Sequence, residues 1–525
     1  MIQINSSRRN FLRGLGGAGL FAIGGCKCPF GRQKIKLAAV GVLGKGYSDW
    51  TPMLKSGLVE IVAFCDADYT QREWAAKKLA KDGIDFDMYS VPFYTDYRKL
   101  LDDAGVLGIE AMTISTPDHV HAPVAIGAMK QGIHVFVQKP LVRTLWELDY
   151  FGRTARDNGV IVQMGNQGSS LDSMRRCTEV IQSGILGDVK EVHVWTNRAV
   201  WPQGKGVADY VTSRGAKGDP VRNGLNWDAW LATAKKRPFL DRYPAGAKIY
   251  DPWKLGANVY HSFTWRGFHD FGAGAFGDMA CHTMNLPFRG LELGGVSGAE
   301  CVKIEEKNDI SYPSKSIVKL VYKARESKVR PGVKLPAVTL FWYDGYDEAN
   351  PGKSAMKPPA EIMPKVIKTF GAVPNTGCYI VGSKGAVLMQ DDYGAKCALA
   401  LNDDPAFVDI FSHEKAKLVA RTIPFCAGSA PAADGKSTVE MKGFAEGHYA
   451  EFVNAIRGEG PWYGQTHSRC FSDIEYCIPQ MEGILVGCIA QQVSGRLAWD
   501  SATQSFDNAA ANALVKPYIR TGWEF

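Results

Sequence analysis

The chain has 525 residues, more than one ordinary domain accommodates, and this length predicts two or three domains. Its apolar content of 46% and charged content of 22% are typical of a globular protein with a sizeable buried core. The formal net charge is +7, but residues 1–33 carry five basic and no acidic side chains, so the rest is near neutral and a nucleic-acid partner is excluded.

Residues 1–33 have the features of an export leader. The paired arginines Arg8 and Arg9 precede Phe11-Leu12 and a weakly apolar run over residues 14–25. This arrangement resembles a twin-arginine signal, which directs folded proteins to the periplasm. The run is shorter than the roughly 20 residues that cross a bilayer, and no later segment is long and apolar enough to do so. The alternative is a disordered basic N-terminus.

A cysteine near the end of this leader raises the question of a lipid anchor. Cys26 follows Ile23-Gly24-Gly25, and the four residues together resemble a lipobox, in which the cysteine becomes the lipidated first residue. A chance cysteine in a glycine-rich leader gives the same pattern. The sequence therefore leaves open whether Cys26 anchors the protein to a membrane.

Residues 34–42 form a near-continuous apolar run, which predicts a buried parallel strand. The strand ends in a turn that contains Gly41, Gly44 and Gly46, and a helix is predicted over residues 47–56. Glycines at a strand-to-helix turn let the backbone approach a pyrophosphate, whose charge is stabilised at the helix N-terminus. The spacing GxxGxG is a variant of the commonest dinucleotide-binding pattern.

An acidic residue follows the next predicted strand, over residues 59–65. Asp66 lies 20 residues after Gly46, where a carboxylate accepts hydrogen bonds from the adenosine ribose hydroxyls. Because a carboxylate repels a 2′-phosphate, this position favours NAD over NADP. The alternative is a solvated acid in a loop.

The alternation of strands and helices then continues. Helices are predicted over residues 71–81, 95–103 and 124–131, and strands over residues 108–115, 133–137 and 160–165. This order predicts a doubly wound parallel sheet over residues 34–165, with ligands gathered at the carboxyl ends of its strands. Gly41, Asp66, Thr116 and Lys139 all fall at such ends.

Four stretches of this sequence resemble the Gfo/Idh/MocA (glucose–fructose oxidoreductase / inositol dehydrogenase) family. They are the glycine turn, TPDHVHAP at 116–123, GIHVFVQKPL at 132–141 and GAFGDMACH at 274–282. The resemblance implies a Rossmann domain for NAD, followed over residues 166–525 by an α+β domain. That second domain is expected to carry a predominantly antiparallel open sheet, to bind substrate and to form homo-oligomers.

The resemblance also implies site residues. The catalytic residues are Lys139, Asp278 and His282, and the residues expected to bind the cofactor are Gly41, Gly44, Gly46, Asp66, Thr116, Pro117, His119, His121, Gln138, Lys139, Asn166 and Gln167. Two positions depart from the family pattern. Gln138 replaces the usual glutamate before Lys139, which removes a negative charge there, and Asn285 stands where relatives often have aspartate.

The chemistry of these side chains suggests a mechanism for oxidising a secondary alcohol. His282 titrates near neutrality and is the candidate base for the hydroxyl proton. Lys139 holds the substrate oxygen and stabilises developing negative charge. Asp278, four residues before the histidine on one predicted helix, lies on the same face and orients it or binds a neighbouring hydroxyl. The alternatives are a core histidine and an aspartate that caps the helix.

The second half is predicted to contain antiparallel strands over residues 189–196, 317–322 and 338–342, separated by long aromatic-rich insertions. Aromatic faces stack on sugar rings, and arginines bind sugar hydroxyls. The candidate substrate-binding residues are Arg198, Trp201, Tyr260, Trp265 and Arg266. The alternative for each of them is packing.

The twelve cysteines lack paired CxxC spacing, and the only close pair is Cys26 and Cys28. Neither a disulfide framework nor a structural zinc site is therefore expected. No carboxylate or cysteine cluster accompanies His119 and His121, so no bound metal is expected there either. Most of the cysteines after the leader are predicted to be small buried apolar residues.

Three functions remain open. The first is an NAD-dependent oxidoreductase that acts on a hydroxyl of a sugar, polyol or glycoside. The second is a redox-neutral glycosidase or epimerase that works through a transient keto-sugar, and the third is a non-catalytic NAD-containing sugar-binding protein. An NAD enzyme outside the cytoplasm cannot depend on a soluble NAD pool. We therefore expect the nucleotide to be tightly bound and regenerated in place.

Overall fold

The computed structural model describes residues 33–247, 249, 258–347, 349–350, 352–426, 446–463 and 468–525. The predicted leader, including Arg8, Arg9 and Cys26, lies outside these residues. The compact unit runs from Ile35 to Phe525. No helix in the described ranges is long and apolar enough to span a membrane.

Residues 35–165, called the first half below, fold into a six-stranded parallel sheet. The strand order is β3-β2-β1-β4-β5-β6, which confirms the predicted doubly wound topology. Its strands are β1 (Ile35–Val40), β2 (Val59–Cys65), β3 (Phe93–Tyr94), β4 (Ala111–Ile114), β5 (His134–Val137) and β6 (Val162–Met164). The helices that connect and follow them are α1 (Lys45–Lys55), α2 (Gln71–Lys81), α3 (Tyr97–Asp102), α4 (Ala104–Leu107), α5 (Asp118–Met129) and α6 (Leu145–Asn158).

Helix α5 begins six residues before its predicted start at residue 124. The observed helix includes Pro123, the residue just before the predicted start. Eleven of its twelve side chains are buried, and this packing overrides the low intrinsic helix propensity of proline. His119 and His121 therefore lie on a buried helix instead of flanking a turn.

The second half is built on a mixed, mostly antiparallel sheet of ten strands among the described residues. In chain order the strands are β7 (Val189–Trp195), β8 (Val296–Glu305), β9 (Lys315–Tyr322), β10 (Arg325–Glu326), β11 (Lys334–Leu335), β12 (Val338–Gly345), β13 (Gly377–Gly382), β14 (Gly385–Met389), β15 (Cys397–Leu401), β16 (Val408–Asp409), β17 (Arg496–Asp500) and β18 (Ser505–Phe506), of which β10 and β11 form a separate ribbon. The pair β7 and β12 is parallel, and the other pairs of the ten are antiparallel.

The helices of the second half cover this sheet and carry part of the site. They are α7 (Asp172–Gln182), α8 (Lys205–Arg214), α9 (Trp227–Leu231), α10 (Gly274–Thr283), α11 (Asn285–Gly290), α12 (Pro364–Phe370), α13 (Glu414–Lys417), α14 (Glu446–Ile456), α15 (Ile474–Ala490) and α16 (Ala509–Asn512). Single 3₁₀ turns lie at Gln167–Ser170, Thr264–Gly267 and Ala360–Ile362.

Two cores hold these layers together. The larger runs from the first sheet through α10 and α15 into the second sheet. The smaller joins Trp50 and Phe136 of the first half to Tyr449 and Phe452 on α14, so a helix from near the C-terminus completes the nucleotide-binding layer. Nine of the ten cysteines in the described ranges are buried and Cys301 is half-buried, which confirms their predicted place in the core.

Candidate functional site

The turn between β1 and α1 contains Gly41 and Gly44, so backbone without side chains lies at the carboxyl edge of the first sheet. Gly41 has φ +83°, and a Cβ atom there would lie 2.4 Å from the Ser115 carbonyl oxygen. Gly44 has φ +60°, and nothing lies within 4 Å of the position its Cβ would occupy. A side chain at Gly44 would therefore extend into open space that a ligand can fill.

Asp66 follows β2 at the same edge. Its two carboxylate oxygens accept hydrogen bonds from the backbone N–H groups of Val42 and Asp68, each at 3.0 Å. Burial raises the pKa of Asp66 to about 6, although these hydrogen bonds oppose the shift. The group is therefore largely ionised at neutral pH, and its remaining lone pairs are available to hydroxyl donors.

A cavity of about 620 Å³ runs along this edge. Asp66 and Lys139 follow β2 and β5, which are three strand spacings apart, so about 14 Å separates their backbones. Residues of the second half form the opposite wall, and they are Gln167, Ala229, Trp230, His261, Ser262, Phe263, Trp265, Arg266, His282 and Tyr393. The cavity thus has a carboxylate at one end and a cluster of charged groups further along.

Two cations converge on one carboxylate in that cluster. Lys139 Nζ donates to Asp278 Oδ1 at 2.8 Å and to the Asp278 carbonyl oxygen at 3.2 Å. Arg266 Nε donates to the same Oδ1 at 3.2 Å. Burial would raise the pKa of Asp278, but Lys139 and Arg266 hold it well below its usual range. An ammonium has three donors, so Lys139 keeps one for a ligand oxygen.

His282 lies one turn after Asp278 on α10 and is only 3% exposed. Its Nδ1 atom has no hydrogen-bond partner in the described part of the chain. Burial, reinforced by the charge of Lys139, lowers the pKa of His282 well below 6.5. The Tyr393 ring packs edge-on against the imidazole, with 4.7 Å between centroids. A neutral, buried imidazole with an unused nitrogen can accept a proton.

A second carboxyl group lines the cavity at the start of α5. Asp118 is 3% exposed, and burial raises its pKa to about 8 against the opposing charges of Arg266 and Lys139. At neutral pH the group is mostly protonated and can donate a proton. Asp118 lay within the family motif but was not among the predicted catalytic residues.

The amides after β6 complete this part of the site. Asn166 is fully buried, and neither its amide nitrogen nor its oxygen has a partner among the described residues. Leaving such a group unpaired costs about 1–3 kcal/mol. The neighbouring Gln167 lines the cavity, with its amide between the Gly165 carbonyl and the Lys45 ammonium.

These residues fit a nicotinamide dinucleotide. The open position at Gly44 and the N-terminus of α1 suit a pyrophosphate. Asp66 suits ribose hydroxyls, and the Gln167 side chain places an amide along the cavity wall. When bound, such a group would supply a two-electron acceptor next to Lys139 and His282.

A carboxylate from another part of the chain lies against Gln138, the position where the family pattern has glutamate. Gln138 Nε2 donates to both oxygens of Asp49, at 3.1 and 3.0 Å. Asp49, on α1, is fully buried and also accepts hydrogen bonds from Tyr449 and Ser115 at 2.6 and 2.7 Å. Its ion pair is with Lys45, at 2.8 Å, and not with Lys139.

This arrangement predicts the effect of restoring the family's glutamate. Gln138→Glu puts a second carboxylate against Asp49 in a buried site, and we expect the free energy of unfolding to fall by roughly 3 kcal/mol at neutral pH. Asp49→Asn combined with Gln138→Glu leaves one carboxylate and one amide, so this double variant should recover most of the loss. Urea denaturation of the three proteins measures both effects. Equal stability of the single variant and the wild type would contradict this pairing.

His119 and His121 on α5, which were predicted to bind the cofactor, contact backbone carbonyl groups of the protein instead. His119 is fully buried between the rings of Trp230 and Phe271 and hydrogen-bonds to their carbonyl oxygens. His121 bridges the carbonyl oxygens of Pro140 and Thr116, at 2.8 and 3.0 Å. Neither side chain lines the cavity. Gly46 also packs inward, against the Gly41 carbonyl, whereas Thr116 and Pro117 do line the cavity.

The predicted substrate-binding set divides in two. Trp265 and Arg266 line the cavity. Trp201 and Tyr260 are 1% exposed and pack among other side chains, so the packing alternative holds for both. Arg198 lies beside the cavity in an ion pair with Asp392. No cluster of three or more His, Cys, Asp or Glu side chains in the described ranges is arranged to hold a metal.

Besides Asp118, the prediction did not include Tyr393, Asp49 or Tyr449. Tyr393 lies in a turn in which Asp391 accepts several backbone N–H groups, and an Asp-Asp-Tyr-Gly turn alone carries no catalytic signal. Asp49 and Tyr449 are 400 positions apart, and only folding brings them together.

Known proteins match this chain mainly over its first half. Residues 35–166 match the profile of the family described as "Oxidoreductase family, NAD-binding Rossmann fold" (GFO_IDH_MocA). The "Glycosyl hydrolase family 109 protein 2" of Akkermansia muciniphila is 30% identical over 175 residues, or 32% of this chain and 34% of that protein. The "Inositol 2-dehydrogenase" of Salmonella typhimurium is 28% identical over 161 residues, or 30% of this chain and 44% of that protein. The chain thus spans less than half the length of either relative.

Solved structures extend the likeness to the fold of the second half. The inositol dehydrogenase homolog from Azotobacter vinelandii, complexed with NADH and myo-inositol, superposes with a TM-score of 0.53 at 16% identity. The superposition covers 89% of this chain and 98% of that one. Over residues 35–166, the chain therefore has the NAD-binding Rossmann fold of the Gfo/Idh/MocA oxidoreductase family.

Proposed function

We propose that this protein is an NAD-dependent oxidoreductase that acts on a secondary hydroxyl of a sugar, polyol or glycoside. The observation that carries the proposal is that Lys139 and His282 line the cavity that Asp66 also lines, with Asp278 paired to Lys139 behind them. The relative named inositol 2-dehydrogenase and the solved homolog complexed with myo-inositol support a polyhydroxylated substrate. Asp66 supports NAD over NADP, because its carboxylate would repel a 2′-phosphate.

The proton transfer follows from the site geometry. Lys139 has a donor left for the substrate hydroxyl, and the neutral imidazole of His282, which lines the same cavity, accepts its proton. Because Lys139 is positive, it stabilises the negative charge that develops on the substrate oxygen as the C–H electron pair departs. Asp278 positions the ammonium through its hydrogen bond of 2.8 Å.

The substrate side of the cavity suits a hydroxylated ring. Trp265 and Tyr393 offer aromatic faces, and Arg266 lies over the Trp265 ring with 4.3 Å to its centroid. Arg266 reaches the reacting cluster through Asp278, so this arginine connects the aromatic wall to the charged groups. An apolar face with a few oriented polar donors is typical of small-molecule sites.

A second function, a redox-neutral glycosidase, is favoured by a different residue. Asp118 is a mostly protonated carboxyl group beside Lys139, and it could protonate the leaving oxygen of a glycoside. In such a route a ring hydroxyl would be oxidised by hydride transfer to the nucleotide, and a base would remove the proton from the carbon next to the new ketone. The aglycone would then leave as an alcohol with the proton from Asp118, water would add across the resulting double bond, and the same hydride would return to the ketone. The relative from glycosyl hydrolase family 109 supports this alternative.

One assay separates these functions. Purified protein with bound nucleotide is mixed with free sugars, polyols and chromogenic glycosides, while NADH absorbance and aglycone release are recorded together. We expect reduction of the nucleotide by a free sugar or polyol, and no reduction in Asp278→Asn. Aglycone release without net NADH would contradict the dehydrogenase and support the second function. Failure of both reactions would support a non-catalytic sugar-binding protein.

We further propose that the protein is exported to the periplasm by the twin-arginine route as a homo-oligomer, with Cys26 as a possible site of lipidation. The support is Arg8-Arg9 with the apolar run that follows and the lipobox-like segment before Cys26. Fractionation of cells that express the full chain tests export, and full-length uncleaved protein confined to the cytoplasm would contradict it.

A further inference from the structure

Part of the second half lies across the end of the cavity where Asp66 is found. We call residues 222–234 and 258–269 the strap. Trp230, His261, Ser262 and Phe263 of the strap line the same cavity as Asp66. The wall facing the expected adenosine end is therefore built by a segment more than 150 positions away in the chain.

The strap is hydrogen-bonded to the loop that follows β2. Asn226 N–H donates to the Ala67 carbonyl at 2.7 Å, and Tyr69 N–H donates to the Gly224 carbonyl at 2.8 Å. These backbone bonds are made one and three residues after Asp66, so the strap is attached to the loop that carries this carboxylate.

A side-chain contact strengthens this junction. His261 Nε2 lies 3.0 Å from Asp68 Oδ2, and both groups are largely buried. Burial would raise the pKa of Asp68, but hydrogen bonds from His261, Thr70 and Gln71 lower it to about 2. Asp68 is thus an ionised partner for His261 at the lip of the cavity.

The strap belongs to a packed unit and is not a loose loop. Leu225, Trp230, Val259, Tyr260 and Trp265 are buried together in one apolar cluster, and Ala67 of the first half packs against it. Because these side chains are buried together, the strap has to move as a unit to expose the cavity.

The C-terminal tail binds the strap through Arg520. Arg520 donates to the carbonyl of Ala232, the residue that follows α9, at 3.0 Å and to the carbonyl of Asp228 within α9 at 2.8 Å. Its backbone N–H donates to the Thr233 carbonyl, and its guanidinium is also ion-paired with the Asp228 carboxylate. A cation at a helix C-terminus is stabilised by the exposed carbonyl groups.

The other side of the tail is held by the first half. The Arg98 guanidinium of α3 stacks on Trp523 with 3.6 Å to the ring centroid and donates to the Gly522 carbonyl at 2.8 Å. Trp523 also packs against Tyr97, a residue that lines the cavity. The tail therefore connects the strap to the nucleotide-binding half, and we call Arg520 the latch.

We propose that the strap and its latch keep the dinucleotide bound through many turnovers, as a resident group that exchanges with solvent only when the strap lifts. The enclosed adenosine end, the junction at His261 and the fastening by Arg520 each oppose release. The identity of the retained nucleotide rests on the proposed function. If the nucleotide does not leave, each hydride removed from a substrate has to be passed to a second substrate or returned in the same site.

The test measures nucleotide release without any sugar. Full-length holoprotein is desalted, its NAD content is determined, and release is followed by chase with excess fluorescent etheno-NAD. We expect wild type to keep its nucleotide through desalting, and Arg520→Ala and His261→Ala to release it roughly tenfold faster or more, because each loses a hydrogen bond that involves a charged group. Arg496→Ala, an exposed arginine on β17 remote from the strap, should behave as wild type.

Two controls keep the result interpretable. Arg520→Lys retains the charge at the end of α9 and should release nucleotide at a rate between those of wild type and Arg520→Ala. Thermal unfolding of the nucleotide-free proteins separates a release effect from general destabilisation. Loss of nucleotide from wild type during desalting, or equal release rates in wild type, Arg520→Ala and His261→Ala, would overturn the proposal. Retained nucleotide with no turnover of any sugar would instead contradict only the proposed function.

Discussion

Replacing Lys139 by alanine is expected to lower kcat/KM for the sugar substrate by about 10²–10³-fold, the usual effect of losing one donor to a developing negative charge. The fold should survive, because Arg266 remains paired with the buried Asp278 carboxylate. Single-turnover reduction of the bound nucleotide measures the loss. Thermal unfolding of the same preparation shows whether the protein is intact.

Lys130→Ala is the matched control for this change. Lys130 is an exposed lysine at the end of α5, and its ammonium lies over the Tyr150 ring, outside the cavity. It should retain wild-type turnover. Unchanged turnover in Lys139→Ala would show that the lysine beside Asp278 does not contact the reacting oxygen.

Replacing His282 by alanine is expected to lower kcat by about 10²–10⁴-fold, the range for loss of a general base. The imidazole lines the cavity and does not hold the Lys139–Asp278 pair, so its removal takes away the proton acceptor and leaves that pair in place. Steady-state kinetics should show a larger change in kcat than in KM.

The pH profile distinguishes a base from a packing residue. Burial and Lys139 lower the pKa of His282 well below 6.5, so the neutral form predominates at neutral pH. We therefore expect kcat to fall as the pH drops through this lowered pKa, below pH 6.5. It is measured at saturating nucleotide, so that the titration of Asp66 near pH 6 does not limit cofactor binding. In His282→Ala the residual activity should lose this acid limb.

His413→Ala supplies the control for removing a buried imidazole. His413 is paired with Asp404 and does not line the cavity, so this variant should keep both its activity and the acid limb. An acid limb that persists unchanged in His282→Ala would assign the titration to another group and refute His282 as the base.

The first half of the molecule could be predicted in detail because its signals are local. Each strand of the parallel sheet is a short apolar run, and each is followed within a few residues by the turn that carries its polar group. In a doubly wound sheet these ends meet at one edge by topology alone. The positions of Gly41, Asp66 and Lys139 along the cavity follow from that rule.

The prediction was less accurate where packing outweighs local preference. A helix was predicted to begin at residue 124, whereas the buried helix α5 begins at Asp118 and includes Pro123. Trp201 and Tyr260 have the composition of a sugar site, yet both are in apolar clusters, because an aromatic side chain in an insertion can pack as well as bind. The composition of an insertion indicates which contacts its side chains can make, and the side chains packed around them determine which of these contacts form.

The sequence by itself determined the Rossmann topology, the nucleotide-binding edge and the spacing of Asp278 and His282 on one helix. Only the tertiary structure decided that Asp49 accepts hydrogen bonds from Gln138, that Tyr393 packs against His282, and that the strap lines the cavity beside Asp66 and is bound by Arg520. These contacts join residues from about 90 to about 290 positions apart. The periodicity and motifs of a sequence report neighbours within a turn or a strand, whereas contacts across the chain depend on how the two halves pack.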